Sequence, residues 1–344
     1  MPNSKAKSIV EELIEKKKLD VSLLNEEDSP CVVQDWLSSG CVVLDWMLGG
    51  GFPLGRITEI YGDESTGKSL IAAQAIAVAQ QEDIISMMID TESAVSLPIM
   101  KAVGVNIDEL IYSAPDTVEE VFEIIDSAIE SKDKKYPDSK MIIVWDTIAA
   151  TSVALEMDSP YGKSLMGRHA LMISQSLRKI ARKLSHSHIY ALFLNQTRQK
   201  IGVMYGDPET TTGGKAVRFY ASVRLRLHLS QKLKQGKKIV AVETSASVVK
   251  NKVAVPFRNA KLPIFFGHGI DDALATYYWL EDNEFVSKGV HKVLKIGNEE
   301  VRFTKKSFPD VYDKHFDDIS NLVLEFDNID VNADIEGEAN EDEE

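Results

Sequence analysis

Cysteine is scarce. Cys31 and Cys41 are the two in 344 residues, and they form neither a CxxC pair nor a zinc spacing. A disulfide scaffold is excluded, and a cytoplasmic location is the expectation. Long apolar runs are missing too: the most apolar stretch, residues 141–145, ends at Asp146. No membrane span is expected. The residues from Met1 to Lys5 lack the apolar core of a signal peptide. There are no internal repeats. Positive charge is absent from the C-terminal end. No Lys or Arg follows Lys314, whereas residues 316–344 hold 12 acids. The net charge is −14, yet outside that stretch 41 acids face 39 bases. The acidity therefore belongs to a tail, and a near-neutral body is left able to meet a polyanion.

What is present is an alternation of strands and helices. Residues 4–18 read as a short helix with Ile9, Val10, Leu13 and Ile14 on one stripe. Short continuous apolar runs at 56–61, 84–90, 110–113, 141–146 and 189–195 have the form of strands buried on both faces. Helical patterns at 67–81, 95–103, 118–131 and 167–185 lie between them, which predicts a parallel sheet with right-handed crossovers. From Ala221 the period becomes two. Val223, Leu225, Leu227 and Leu229 alternate with Arg224, Arg226, His228 and Ser230, and a second such run follows the turn at Gly236. That is an antiparallel hairpin. Four units are expected: an N-terminal helix and linker (1–32), an α/β core (33–268), a small α+β unit (269–326) and an acidic disordered tail (327–344).

One motif carries chemistry outright. Gly62, Asp63, Glu64, Ser65, Thr66, Gly67, Lys68 and Ser69 fit G-x-x-x-x-G-K-[ST] between a strand and a helix. Such a loop turns backbone N–H groups onto phosphate oxygens, at a helix N-terminus that favours anions. Lys68 is expected on the β- and γ-phosphates of ATP, and Ser69 on Mg²⁺. Asp146, ending a buried strand, is the expected second group on the metal side, or otherwise a helix N-cap. Glu92, two residues past the strand 84–90, is placed to align an attacking water; Asp90 competes on position. Gln196 closes the strand 189–195 as a neutral amide suited to reading the γ-phosphate, although taken alone it reads as a surface amide. His186 and His188 lack a third ligand and are read as surface residues.

Residues 195–224 (NQTRQKIGVMYGDPETTTGGKAVRFYASVR) resemble the signature of the bacterial RecA recombinase family. The resemblance extends to GRITEIYG at 55–62, SQSLRK at 174–179 and VVKNKVA at 248–254, and covers roughly residues 35–270. It implies a RecA-like P-loop ATPase core and a DNA-dependent ATPase of homologous recombination and DNA repair. Such a protein forms a helical homo-oligomeric filament on single-stranded DNA and exchanges strands with homologous double-stranded DNA. By motif, Glu92 corresponds to the catalytic glutamate and Gln196 to the γ-phosphate sensor. Lys250 and Lys252 correspond to a pair that reaches the neighbouring subunit's ATP, although a solvated strand face suits their spacing equally. Phe219 corresponds to a subunit-interface residue.

Two segments, about 156–166 and 197–212, correspond to DNA-binding loops. Ser174, Arg178, Arg198, Thr212, Gly213 and Gly214 are candidates for the phosphates, and Met166, Ile201 and Met204 for apolar wedges between bases. The sequence departs from the family at Ile99, where an aromatic residue would stack on adenine; Phe266 keeps the second flank. Leu171 stands where an arginine is expected, with Arg168 nearby. The 12-acid tail is available to compete with DNA for basic surface. The other reading is a DNA-binding RecA-core ATPase without strand exchange, either a helicase-like motor or a filament scaffold.

Overall fold

The computed structural model describes residues 4–18, 21, 23, 32–157, 167–199 and 209–326. Helix α1 (Ser4–Lys17) follows the expected stripe, with Ile9 and Ile14 exposed. Strands β1 (Trp36–Leu37) and β2 (Phe52–Pro53) pair antiparallel across the buried helix α2 (Val42–Leu48). The α/β body then runs β3 (Ile57–Gly62), α3 (Lys68–Gln81), β4 (Ile85–Asp90), α4 (Leu97–Val103), β5 (Leu110–Ser113), α5 (Val118–Lys135), β6 (Met141–Asp146), the short α6 (Ala154–Met157), α7 (Arg168–Leu184) and β7 (Ile189–Gln199). From residue 209 come β8 (Glu209–Thr211), α8 (Gly214–Tyr220), β9 (Val223–Gln235), β10 (Lys238–Asn251), β11 (Asn259–Phe265) and β12 (Gly269–Ile270). The C-terminal elements are α9 (Asp272–Asp282), β13 (Lys292–Ile296), β14 (Glu299–Phe303), α10 (Phe308–Lys314) and α11 (Phe316–Glu325). Among the described residues, no helix is long and apolar enough to cross a membrane.

The sheet order is β12-β11-β10-β9-β3-β7-β6-β4-β5, with β8 pairing off the path on β7. From β9 to β5 the neighbours are parallel. β10, β11 and β12 extend the sheet antiparallel. This is the α/β core with a hairpin extension that the alternating pattern predicts.

Strands buried on both faces feed two separate cores. In β6, Ile142 and Val144 join the cluster under α2 and α3, whereas Met141, Ile143 and Trp145 join the one under α5, α7 and α8. β7 divides the same way, with Tyr190, Leu192 and Leu194 against Ile189, Ala191 and Phe193. The period of two is thus present inside the continuous apolar runs; it separates two packed layers rather than core from water.

Local signals set the helix ends. Thr117 accepts from the Glu120 backbone N–H at 3.2 Å, while the Glu120 carboxylate accepts from the Thr117 N–H at 3.3 Å, so α5 starts on a reciprocal cap. It runs on to Lys135, past the expected end at 131. Residues 272–326 bring an aromatic cluster onto α2. Trp46 meets Trp279 edge-on at 5.5 Å and donates its indole N–H to the Phe326 carbonyl at 2.8 Å. Trp279, Phe303, Phe308 and Val323 belong to the same cluster as Leu44 and Ile76, so these residues add to the core of the body.

Candidate functional site

Parallel pairing aligns the chemistry. Gly62 is in register with Gln196, and Asp90 with Asp146. Gly62, Asp146 and Asp90 therefore close the strands β3, β6 and β4, and Gln196 stands among them on β7, which runs on to Gln199, at the carboxyl edge of four adjacent strands. Open α/β sheets bind ligands at that edge.

The loop between β3 and α3 has little freedom. A Cβ on Gly62 would lie 2.2 Å from the Leu227 carbonyl oxygen, and one on Gly67 (φ +94°) 2.3 Å from Ile264 Cδ1. Thr244 of β10 donates to the Thr66 carbonyl at 3.0 Å, so the hairpin extension braces the loop. Asp63, Glu64 and Ser65 are exposed at its tip, while Thr66 is buried. The Lys68 ammonium donates to the Gly62 carbonyl at 3.0 Å and to the Asp63 carbonyl at 2.7 Å. Burial lowers its pKa, against the carboxylates of Asp146, Asp63, Glu92 and Glu64, which raise it.

Ser69 donates to Asp146 Oδ2 at 2.6 Å. Burial pushes the Asp146 carboxyl up to about 6, helped by Glu92 and Asp90 and opposed by Ser69 and Lys68. A hydroxyl and a carboxylate short of positive charge, at a phosphate loop, are oxygen donors of the kind Mg²⁺ takes. The N-cap alternative for Asp146 does not apply, because no helix begins at the residues after it.

Asp90 and Glu92 differ in burial and in hydrogen bonding. Asp90 is 2% exposed and accepts from the backbone N–H groups of Glu92 (3.0 Å), Ala94 (2.9 Å) and Val95 (3.1 Å), and from the Tyr112 hydroxyl (3.1 Å). It holds the loop after β4. Glu92 is carried on that loop into the cleft, where its Oε1 accepts from the Gln196 amide at 3.1 Å. A cavity of about 160 Å³ opens beside Ser69, Asp90, Glu92 and Asp146, with Leu70, Ala73, Met88, Val95, Ile99 and Met100 in its wall. Phe266 is exposed outside that wall, but the next residue approaches α4: a Cβ on Gly267 would lie 3.6 Å from the Ala102 Cβ.

Behind Gln196 lies a network that motif reading does not reach. Asn195 donates to Glu59 Oε1 and to the Thr212 carbonyl, each at 2.9 Å. Glu59 is wholly buried and paired with Arg224 Nε at 2.5 Å, and Arg224 also lies 4.5 Å over the Tyr61 ring. The available signal was Glu59 itself, a charge inside a strand with no wet face. The polar side of β9 is accordingly not all solvated.

The flanks of the two expected DNA segments converge. Leu171, Ser174 and Arg178 share the outer face of α7, opposite buried Ile173 and Leu177, with Leu171 and Arg178 exposed. A Cβ on Gly214 would lie 3.3 Å from the Ala170 Cβ, and one on Gly213 would lie 2.7 Å from Val217. The start of α8 is thus packed onto α7 beside Thr212. Arg198 is exposed on β7, in register with Thr210 of β8. Met166, Ile201 and Met204 lie outside the described residues, as does the tail 327–344.

Lys250 does not project as a free strand residue. Its ammonium donates to the carbonyls of Arg218 (2.6 Å), Phe219 (3.1 Å) and Ala221 (2.6 Å), at the C-terminal end of α8. Desolvation, then the Lys252 charge, lowers its pKa to about 8. Lys252, just past β10, sits 5.4 Å over the ring of Phe219, which is 66% exposed. The two lysines and Phe219 form one surface.

The RecA N-terminal domain family matches residues 5–271. The protein RecA of Ectopseudomonas oleovorans is 43% identical over 255 residues, which are 74% of this chain and 72% of that protein. Since the matched region spans every strand of the large sheet and every residue aligned along its edge, the chain belongs to the RecA family, the DNA-dependent ATPases of homologous recombination and DNA repair.

Proposed function

We propose that this chain polymerises as a helical homo-oligomer on single-stranded DNA, holds ATP between successive protomers, and exchanges its strand with homologous double-stranded DNA. The observation that carries this reading is the Gln196–Glu92 contact at 3.1 Å. It joins the carboxylate suited to activating water to the strand that continues into the 197–212 segment.

Lys68 leaves the loop carbonyls for the β- and γ-phosphates, which are stronger, charged acceptors. Ser69 and Asp146 would hold Mg²⁺, which would neutralise charge on the phosphate oxygens. Glu92 orients a water and accepts its proton. Gln196, released from Glu92, donates its amide to the γ-phosphate. Ile99 and Phe266 flank the base. Lys250 and Lys252 are contributed to the nucleotide of the adjacent protomer, where two cations offset charge on the transferred group as an arginine finger does. Ser174, Arg178, Arg198 and the backbone from Thr212 to Gly214 hold DNA phosphates, and Met166, Ile201 and Met204 wedge between bases. Such a grip reads no sequence, so base pairing does the searching.

The test has three readouts: ATP hydrolysis with and without single-stranded DNA, joint-molecule formation with homologous duplex, and electron microscopy with a non-hydrolysable ATP analogue. Stimulation by DNA, joint molecules and helical filaments are expected. Hydrolysis without joint molecules would indicate a motor lacking strand exchange. A chain that stays monomeric on oligonucleotides with any triphosphate overturns the proposal.

A further inference from the structure

The end of β7 is held on both flanks of the phosphate site. Gln196 faces Glu92. Its neighbour Thr197 donates its hydroxyl to Asp63 Oδ1, on the phosphate loop. Adjacent strand residues point to opposite sides, so the two contacts straddle the strand.

Asp63 is the joint of that second contact. Its backbone carbonyl accepts from the Lys68 ammonium at 2.7 Å and the Thr66 hydroxyl at 2.9 Å, while its carboxylate takes Thr197. Thr197 is in register with Thr211 in the two-stranded ribbon of β7 and β8, the stem of the 197–212 segment. That stem is tied further. Arg218 of α8 donates to the Thr210 hydroxyl at 2.8 Å, and Arg226 of β9 pairs with Glu209 at 2.6 Å. A displacement of Asp63 therefore reaches a braced ribbon rather than a loose loop.

We infer that Thr197 is a positioning residue: through its hydroxyl on Asp63 it links occupancy of the phosphate loop to the placement of the polynucleotide-binding segment. This rests on the reading under Proposed function. Phosphates that draw Lys68 away remove a cation from the Asp63 carbonyl, and the carboxylate of the same residue carries the shift to the ribbon. Gln196 reads the third phosphate; the Asp63–Thr197 contact reads the position of the loop itself.

The test uses the full chain and a fluorescein-labelled oligothymidylate, followed by anisotropy with and without a slowly hydrolysed ATP analogue. The readout is the ratio of the two DNA affinities, a coupling that a merely structural role would not move. In Thr197→Val that ratio falls about fivefold or more, the lower range of ordinary coupling between sites. Thr197→Ser, which keeps the hydroxyl, restores it. Asp63→Ala lowers the ratio from the other side, and Asp63→Ala with Thr197→Val is no worse than either alone. If Thr197→Val does not fold, the Asp63→Ala and Thr197→Ser pair decides. A wild-type ratio in Thr197→Val or Asp63→Ala overturns the inference. A wild-type chain whose DNA affinity ignores the triphosphate overturns the functional reading, and this inference with it.

Discussion

Asp90 and Glu92 are two residues apart, and their surroundings separate them. Asp90 accepts four hydrogen bonds in the interior, so Asp90→Asn is expected to cost about 2 kcal/mol of stability, measured by urea denaturation. Glu92→Gln leaves those bonds intact and is expected to stop ATP turnover while the urea midpoint stays within error of wild type. Wild-type turnover in Glu92→Gln would move the role elsewhere. Asp45 supplies a pH test. It is buried and accepts from the Ser38 hydroxyl (2.5 Å) and the Ser39 N–H (2.7 Å), yet burial raises its carboxyl from 3.8 to about 7. Between those values the folded chain holds a proton that the unfolded chain has released. The stability from this group is therefore full below pH 4 and is lost as pH rises through 7. Asp45→Asn should flatten that part of the thermal-stability profile between pH 4 and 7; an unchanged slope would contradict the assignment.

At the scale of elements, the end of α8 depends on a residue 29 to 32 positions further along the chain. Three carbonyls at its end converge on Lys250, a cation where the helix dipole favours one. Lys250→Met is expected to speed amide exchange across 217–221 several-fold, a local loss of about 1 kcal/mol after solvent screening. Unaltered exchange would mean that the cap contributes nothing. The five parallel strands β3, β4, β5, β6 and β7 were legible because their apolar runs are short and punctuated, and α5 because Thr117 and Glu120 spell its cap. The ribbon of β7 beyond residue 195 was not legible. Thr197, Arg198 and Gln199 are polar and carry no period; pairing with β8 makes them strand. Arg224 was equally hidden, since its ion pair with Glu59 spans 165 residues.

For the whole molecule, the proposed placement of Lys250 and Lys252 on a neighbour's ATP makes hydrolysis a property of a pair of protomers. Protomers with Lys68→Ala lack nucleotide but keep both lysines; protomers with Lys250→Ala and Lys252→Ala bind nucleotide but lack them. Mixing the two is expected to restore part of the DNA-dependent ATPase that each lacks. No rescue at any ratio would count against completion in trans. Truncation after Phe326 removes the acidic tail 327–344 and keeps the carbonyl that Trp46 uses. Strand exchange should then need less magnesium, because tail carboxylates no longer compete with DNA phosphates. An unchanged magnesium profile would leave the tail no such role.

By itself the sequence determined what depends on neighbours along the chain: the strand–loop–helix of residues 57–81, the acids and amide at strand ends, the hairpin, and the signature at 195–224. Those signals are local, written in spacing and residue type. Only the tertiary structure decided which of two nearby acids has its oxygens taken up by the loop after β4 and which meets Gln196, what Lys250 holds, and that Thr197 meets Asp63 across 134 residues. Strand order and burial set these outcomes, because a parallel sheet brings distant strand ends to one edge and leaves each side chain whatever partner that edge supplies.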